Sequence, residues 1–215
     1  MLRNAIETAD QYFVRQKKEW TEIIVDFETK NQYTILDPEK NELGTISEVS
    51  SGIGGFLKRN FFGSHRSLDI RVHDIDGSPV LRMARDFFFL FSSLDVTAEG
   101  GAKLGSVERR FGILYKKYDL HDEHGRCFAE IRSPRWRIWT FPVKHRSGVG
   151  EAEISKKWGG ALREIFADAD TFRVAIENGN WSTTERWVLF AAAISIDFDF
   201  FENNQGSDGL LSFGD

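Results

Sequence analysis

The residues that could do chemistry are few, and their spacing does not assemble them. Cys127 is the single cysteine of 215 residues, which excludes an intrachain disulfide and any multi-cysteine zinc site. His121 and His124 straddle a turn with Asp122 and Glu123. A metal there needs a third ligand, none is identifiable from the sequence, and a solvated turn accounts for the group. Asp74-Ile75-Asp76-Gly77 opens like a calcium loop, but Arg85 stands where the closing acid belongs, so it reads as a turn. Gly52-Ile53-Gly54-Gly55 lacks the strand-to-helix setting and the Lys-Ser/Thr of a phosphate loop. No Ser-His-Asp or Cys-His set stands in a recognisable motif. The sequence therefore predicts no catalytic residues.

Charge narrows the partners. The net charge of -5 and pI near 5.6 argue against nucleic acid. Basic residues cluster at Lys116-Lys117, from Arg132 to Arg137 and from Lys144 to Arg146. They offer phosphoinositides a patch, although interspersed acids favour a merely solvated face. Nineteen phenylalanines suit strands, or a surface that meets something apolar. The start of the chain has neither a secretory pattern nor the second-position glycine of a myristoylation signal, so a cytoplasmic protein, peripheral at a membrane, is expected.

The elements that must position these residues are hairpins. Alternating segments meet across acidic or Asn/Gly turns at Tyr33–Asp37 with Gly44–Ile46, Leu68–Val72 with Val80–Met83, and Leu94–Val96 with Leu104–Val107. The pattern returns at Tyr118–Leu120 with Cys127–Ile131, at Arg137–Phe141 with Glu151–Ile154, and at Phe172–Ile176 before Asn178-Gly179. Period-two alternation bounded by such turns is a strong hairpin signal. About six units predict about twelve strands, too many for an open twisted sheet without curling, so closure into a barrel removes the edges. A first strand is expected near Tyr12-Phe13-Val14, after a short helix from Asn4 to Asp10, and another short helix from Gly160 to Ala167.

The stretch from Trp187 to Phe201 decides the architecture. Ser182-Thr183-Thr184-Glu185 reads as a capping box, and Trp187, Leu189, Phe190, Ala191, Ala192, Ile194 and Phe198 give a helix apolar on every side. Asp197 and Asp199 interrupt the run after about ten residues, short of the roughly 20 that span a bilayer. A helix buried inside the barrel is the expectation. The alternation of Ile194, Ile196, Phe198 and Phe200 is strand-like and leaves its C-terminal boundary open.

Ile154-Ser155-Lys156-Lys157-Trp158, then Leu162-Arg163-Glu164, Phe166, Asp168-Ala169-Asp170 and Phe172, resembles the late signature of the phospholipid scramblases. Ile196-Asp197-Phe198 with Phe200-Phe201-Glu202 resembles that family's C-terminal helix. Weaker matches are Arg15-Gln16-Lys17-Lys18-Glu19 with Phe27-Glu28-Thr29, and Arg59-Asn60 with Gly63-Ser64 and Arg66. The resemblance implies a Tubby-like fold related to the LURP-one-related proteins: a closed antiparallel barrel of about twelve strands around a central hydrophobic helix. The domain would run from 13 to 202, between a lead-in at 1–12 and a flexible tail at 203–215. It also implies ATP-independent movement of phospholipids between leaflets, stimulated by calcium, which is transport and not chemical catalysis.

Two departures qualify these implications. The family's calcium site falls on the segment from Asp168, but after Asp168 and Asp170 the alternate positions Phe172, Val174 and Ile176 carry no side-chain oxygen. Two carboxylates hold calcium weakly, and a strand accounts for the rest. The family's acylated cysteine clusters are replaced here by Asn60-Phe61-Phe62-Gly63 and Asp86-Phe87-Phe88-Phe89-Leu90-Phe91. Phe61 and Phe62 are therefore candidate membrane contacts, with Lys58, Arg59, His65 and Arg66 to meet anionic phospholipids. Phe87–Phe91 could meet the membrane in the same way, but reads better as a fully buried strand or a homodimer contact. A barrel plugged by its own helix offers no path through its middle, so membrane action is expected of the loops. The competing reading is a soluble interaction or ligand-binding module of the same fold.

Overall fold

The computed structural model describes residues 1–16, 29–49, 67–86, 92–137, 139–148, 150–156 and 171–200. A short helix, α1 (Leu2–Thr8), precedes twelve strands. These are β1 (Gln11–Gln16), β2 (Thr29–Leu36), β3 (Glu42–Val49), β4 (Leu68–Asp74), β5 (Pro79–Arg85) and β6 (Ser92–Ala98). There follow β7 (Lys103–Arg110), β8 (Tyr115–Asp122), β9 (Cys127–Pro134), β10 (Thr140–His145), β11 (Glu151–Ser155) and β12 (Thr171–Asn178). The long helix α2 (Thr183–Phe200) closes the described chain.

Each strand pairs antiparallel with the next, and β12 returns to β1 with Tyr12 opposite Val174 and Val14 opposite Phe172. The barrel is closed, as expected, so no sheet edge is left to pair with another chain. The last predicted unit is not a hairpin: β12 is the closing strand against β1, and its Asn178-Gly179 turn leads into α2 instead of into another strand. β10 also begins later than its sequence suggests, at Thr140 rather than Arg137. Ser133 Oγ donates to Thr140 O at 2.6 Å and lies 3.3 Å from Arg137 O, which holds 135–137 as a connection and not as strand.

Inside the barrel the alternation holds. Tyr12, Val14, Tyr33, Ile35, Ile70, Val72, Leu94, Val96, Tyr118 and Leu120 point inward and are buried against α2. Trp187 through Asp199 are all buried, which is what an all-round apolar helix requires. Eighteen helical residues make about 27 Å, close to the length of an eight-residue strand. The capping box forms as predicted: Ser182 N donates to Glu185 Oε2 at 2.8 Å and Glu185 N to Ser182 Oγ at 3.3 Å. Close approach of α2 to the wall depends on Gly105, where a Cβ would stand 2.1 Å from His121 O and 2.7 Å from Val188.

The open boundary of α2 is settled: helix continues through Phe200. The strand-like alternation arises because apolar residues surround the helix and its two carboxylates meet buried partners. Asp197 accepts from Tyr33 Oη at 2.6 Å and faces Lys156 Nζ at 3.5 Å. Asp199 accepts from Arg85 at 3.0 Å and from Tyr118 Oη at 2.9 Å, with Arg109 at 3.7 Å. The first helix runs from Leu2 to Thr8, starting and ending two residues before the expected span; Ala9 is already extended. The expected helix at 160–167 and the tail at 203–215 lie outside the described residues.

Candidate functional site

Alternating antiparallel strands sort the connections onto two ends of the barrel. Short turns after β2, β4, β6, β8 and β10 share one end, and the connections after β1, β3, β5, β7, β9 and β11 share the other. At this second, loop end the described connections are 111–114 and 135–139, except Ile138. Phe111 and Ile113 are each 74% exposed, Trp136 70% and Leu114 63%. Contiguous exposure of large apolar side chains is costly to a soluble domain and marks an interaction surface.

The two loops are built as one unit. Arg135 N donates to Leu114 O at 3.0 Å, and the Arg135 guanidinium donates to Gly112 O at 2.9 Å. The Tyr115 and Trp136 rings lie 6.4 Å apart, and the Arg132 guanidinium covers the Tyr115 ring at 4.2 Å. Gly112 is required because a Cβ there would sit 2.4 Å from Tyr115 O. Beneath them Lys116 donates to Arg137 O at 3.2 Å and sits 4.6 Å over the Phe141 ring. Burial, and then the Arg135 charge, lower the pKa of the Lys116 ammonium.

The rim is cationic. Arg132, Arg135 and Arg137 are exposed, while Arg110 pairs with Asp119 at 3.1 Å, and neither 109–118 nor 131–142 contains an acid. The acids that sequence places among these clusters, such as Asp119 and Glu130, lie on the strands of the wall and not in the loops. Under the rim, Asp199 and Asp197 turn inward to Arg85, Tyr118, Tyr33 and Lys156, so the helix end adds no exposed negative charge. Burial, followed by the neighbouring Asp199 charge, raises the Tyr118 hydroxyl well above its ordinary range and keeps it a donor.

Between the ends the outer wall is charged. Arg71 and Arg82 flank Asp69, Lys103 pairs with Asp95 at 3.1 Å, and Glu130 and Lys144 are exposed. A barrel that crosses a bilayer needs an apolar outward band, and the described strands of this one turn nearly all their apolar residues inward. Among the described residues no helix is long and apolar enough to cross a membrane.

The predicted contacts Lys58, Arg59, Phe61, Phe62 and Arg66 lie outside the described residues, as do Phe87–Phe91 and the calcium candidates Asp168 and Asp170. The strand ends that flank them, Val49 and Leu68, Arg85 and Ser92, Ser155 and Thr171, all stand at the loop end. The predicted central residues Trp187, Leu189, Phe190, Ala191, Ala192, Ile194 and Phe198 are core, none more than 3% exposed.

Known proteins match this arrangement over nearly its whole length. The family model described as Scramblase covers residues 2–203. The chain belongs to the scramblase family. Altered inheritance rate of mitochondria protein 25 of Saccharomyces cerevisiae is 26% identical to this scramblase-family chain, over 94% of the chain and 73% of that protein. Phospholipid scramblase 1 of Mus musculus is 28% identical over 90% of the chain and 61% of that protein. The chain thus spans roughly three fifths to three quarters of these relatives. The X-ray structure of an Arabidopsis thaliana protein shares the fold, with TM-score 0.50 and 14% identity over 93% of this chain and 96% of that one.

The sequence reading missed Phe111, Ile113, Leu114 and Trp136. A signal was present: Arg109-Arg110-Phe111-Gly112-Ile113-Leu114-Tyr115-Lys116-Lys117 joins two strands with apolar residues where the turns of the opposite end carry Asp, Glu or Ser.

Proposed function

We propose that this scramblase-family chain binds anionic phospholipid membranes through the loop end of the barrel and there promotes movement of phospholipids between leaflets. One observation carries the reading: four large apolar side chains, Phe111, Ile113, Leu114 and Trp136, stand exposed within a rim of arginines. Apolar residues entering the acyl boundary, with cations at headgroup level, are the physical pattern of an interfacial anchor. The charged wall and filled interior leave an end of the barrel as the membrane-facing surface. No bond is made or broken in such a role, so it is transport and not catalysis. The names of the mouse and other relatives as phospholipid scramblases support the lipid substrate. Calcium stimulation, with Asp168 and Asp170 as ligands, and assembly of several copies are further parts of the proposal.

Co-sedimentation with vesicles of phosphatidylcholine alone, and with phosphatidylserine added, tests the binding. Binding that requires phosphatidylserine and falls in a Phe111→Ser/Trp136→Ser variant is expected; equal binding by the variant would contradict it. A dithionite assay of labelled lipid in reconstituted vesicles, with and without calcium, tests transport. No acceleration over protein-free vesicles would leave a lipid-binding module of the same fold.

A further inference from the structure

One group of side chains remains unexplained by a membrane role. On the outer wall, near the turn between β8 and β9, the donor atoms of Asp119, His121 and Cys127 all lie within 4.8 Å of one another. The sequence offered His121 no third ligand, because Cys127 is across a hairpin and its register cannot be read. In the fold, Asp119 stands opposite Glu130 and Leu120 opposite Ala129, but His121 stands opposite Cys127. This bulge skips Phe128, whose side chain is buried with Ala129 in the core, and brings Cys127 onto the outer face beside His121. Bulges re-aim side chains in this way, often at functional positions.

We propose that Asp119, His121 and Cys127 form a binding site for a borderline-soft divalent transition metal of the zinc class. A carboxylate, an imidazole and a thiolate make three of the four ligands of a tetrahedral site, and solvent completes it at the half-buried wall. The thiol and imidazole exclude calcium and magnesium, which take oxygen ligands. Two further features suit the assignment. His121 Nδ1 is buried with no hydrogen-bond partner, an arrangement that a ligated ion would satisfy. Arg110 Nε holds Asp119 Oδ2 at 3.1 Å, orienting the carboxylate as outer partners do in metal sites. The Cys127 thiol, which donates to Ala129 O at 3.4 Å, is held protonated by burial and then by the Asp119 charge, and must lose that proton to ligate. A divalent cation reverses that balance: the sulfur bonds the metal as thiolate, and its proton passes to solvent.

Cobalt(II) titration of the full chain, stripped beforehand with chelator, tests this site. The expected result is a thiolate-to-cobalt charge-transfer band that saturates at one equivalent and is bleached by added zinc. Cys127→Ser abolishes the band, and His121→Ala weakens binding by at least about tenfold, since loss of even an outer partner costs that much. His124→Ala, one turn position away, leaves the titration unchanged. Absence of the band from folded wild-type protein overturns the proposal. So does an unaltered curve in His121→Ala, which would show a lone thiolate binding adventitiously. Far-ultraviolet circular dichroism confirms that each variant is folded, and none of the three residues belongs to the core.

Discussion

The two ends of the barrel solve the same problem in opposite ways. At the turn end, α1 lays Leu2 and Ile6 into the barrel mouth, fully buried. Trp187 Nε1 donates to Glu7 at 3.2 Å, Arg186 donates to Ala9 O at 2.9 Å, and the capping box closes the start of α2. At the loop end no described helix covers the mouth. The polar end of α2 is buried instead, through Asp197 and Asp199, while Phe111, Ile113, Leu114 and Trp136 are displayed. Among the described residues, α1 carries its apolar face inward at one end, while the connections at the other display theirs, within one domain. The difference teaches that the displayed residues are not a failure of packing capacity, since the same chain buries Leu2 and Ile6 fully at its other mouth.

Breaking the ionic floor of the loop end has the largest expected effect. Asp199→Ala removes the carboxylate shared by Arg85, Tyr118 and Arg109, and urea unfolding should report a loss of about 3–5 kcal/mol. The double change Phe111→Ser/Trp136→Ser should leave unfolding within about 0.5 kcal/mol, as exposed sites do. Its vesicle partition should fall by more than about tenfold, because each inserted side chain contributes roughly 1.5–3 kcal/mol. Ile75→Ser, which alters an exposed apolar residue at the turn end, should change neither reading. Arg137→Ala should weaken binding to phosphatidylserine vesicles by about 1 kcal/mol, and the loss should shrink as salt is raised.

The smallest effect concerns how α1 is held. Asp74 accepts from the Met1 amine at 2.8 Å and from Leu2 N at 3.1 Å. Partial desolvation raises its carboxyl, but the amine and the Ile75 and Leu2 amides outweigh this and hold it below its ordinary value of 3.8. Because the folded pKa is depressed, the stability it contributes is present above the unfolded value and is lost as pH falls through the folded one. Hydrogen exchange should show the α1 amides losing protection on acidification through that window, and Asp74→Asn should flatten that response. No comparable acid response is expected of the described loop-end connections, 111–114 and 135–137, which carry no acid.

Most of the fold was legible because each physical signal was local. Alternation with Asp/Gly turns located the hairpins, and Ser182 with Glu185 marked the helix start. The helix end was not legible: Asp197 and Asp199 read as interruptions until Tyr33, Arg85 and Tyr118, distant in sequence, supplied their partners. The late start of β10 depends on Ser133, a hydroxyl whose acceptors no periodicity reveals. The exposed apolar loops were overlooked for a related reason. An apolar tetrad between strands reads as buried, and only the closed barrel shows that 111–114 and 135–139 share one end. Cys127 joined His121 through a bulge, which shifts register without leaving a mark in composition.

The central claim, that the loop end is the membrane face, can be tested by one pair of labels. In a Cys127→Ser background, Ile113→Cys and Asp76→Cys place an environment-sensitive fluorophore at the loop end and at the turn end. On addition of vesicles containing phosphatidylserine, the label at 113 should brighten and shift to the blue, while the label at 76 stays unchanged. A shift at 76, or none at 113 while the protein co-sediments with the vesicles, would contradict the assignment.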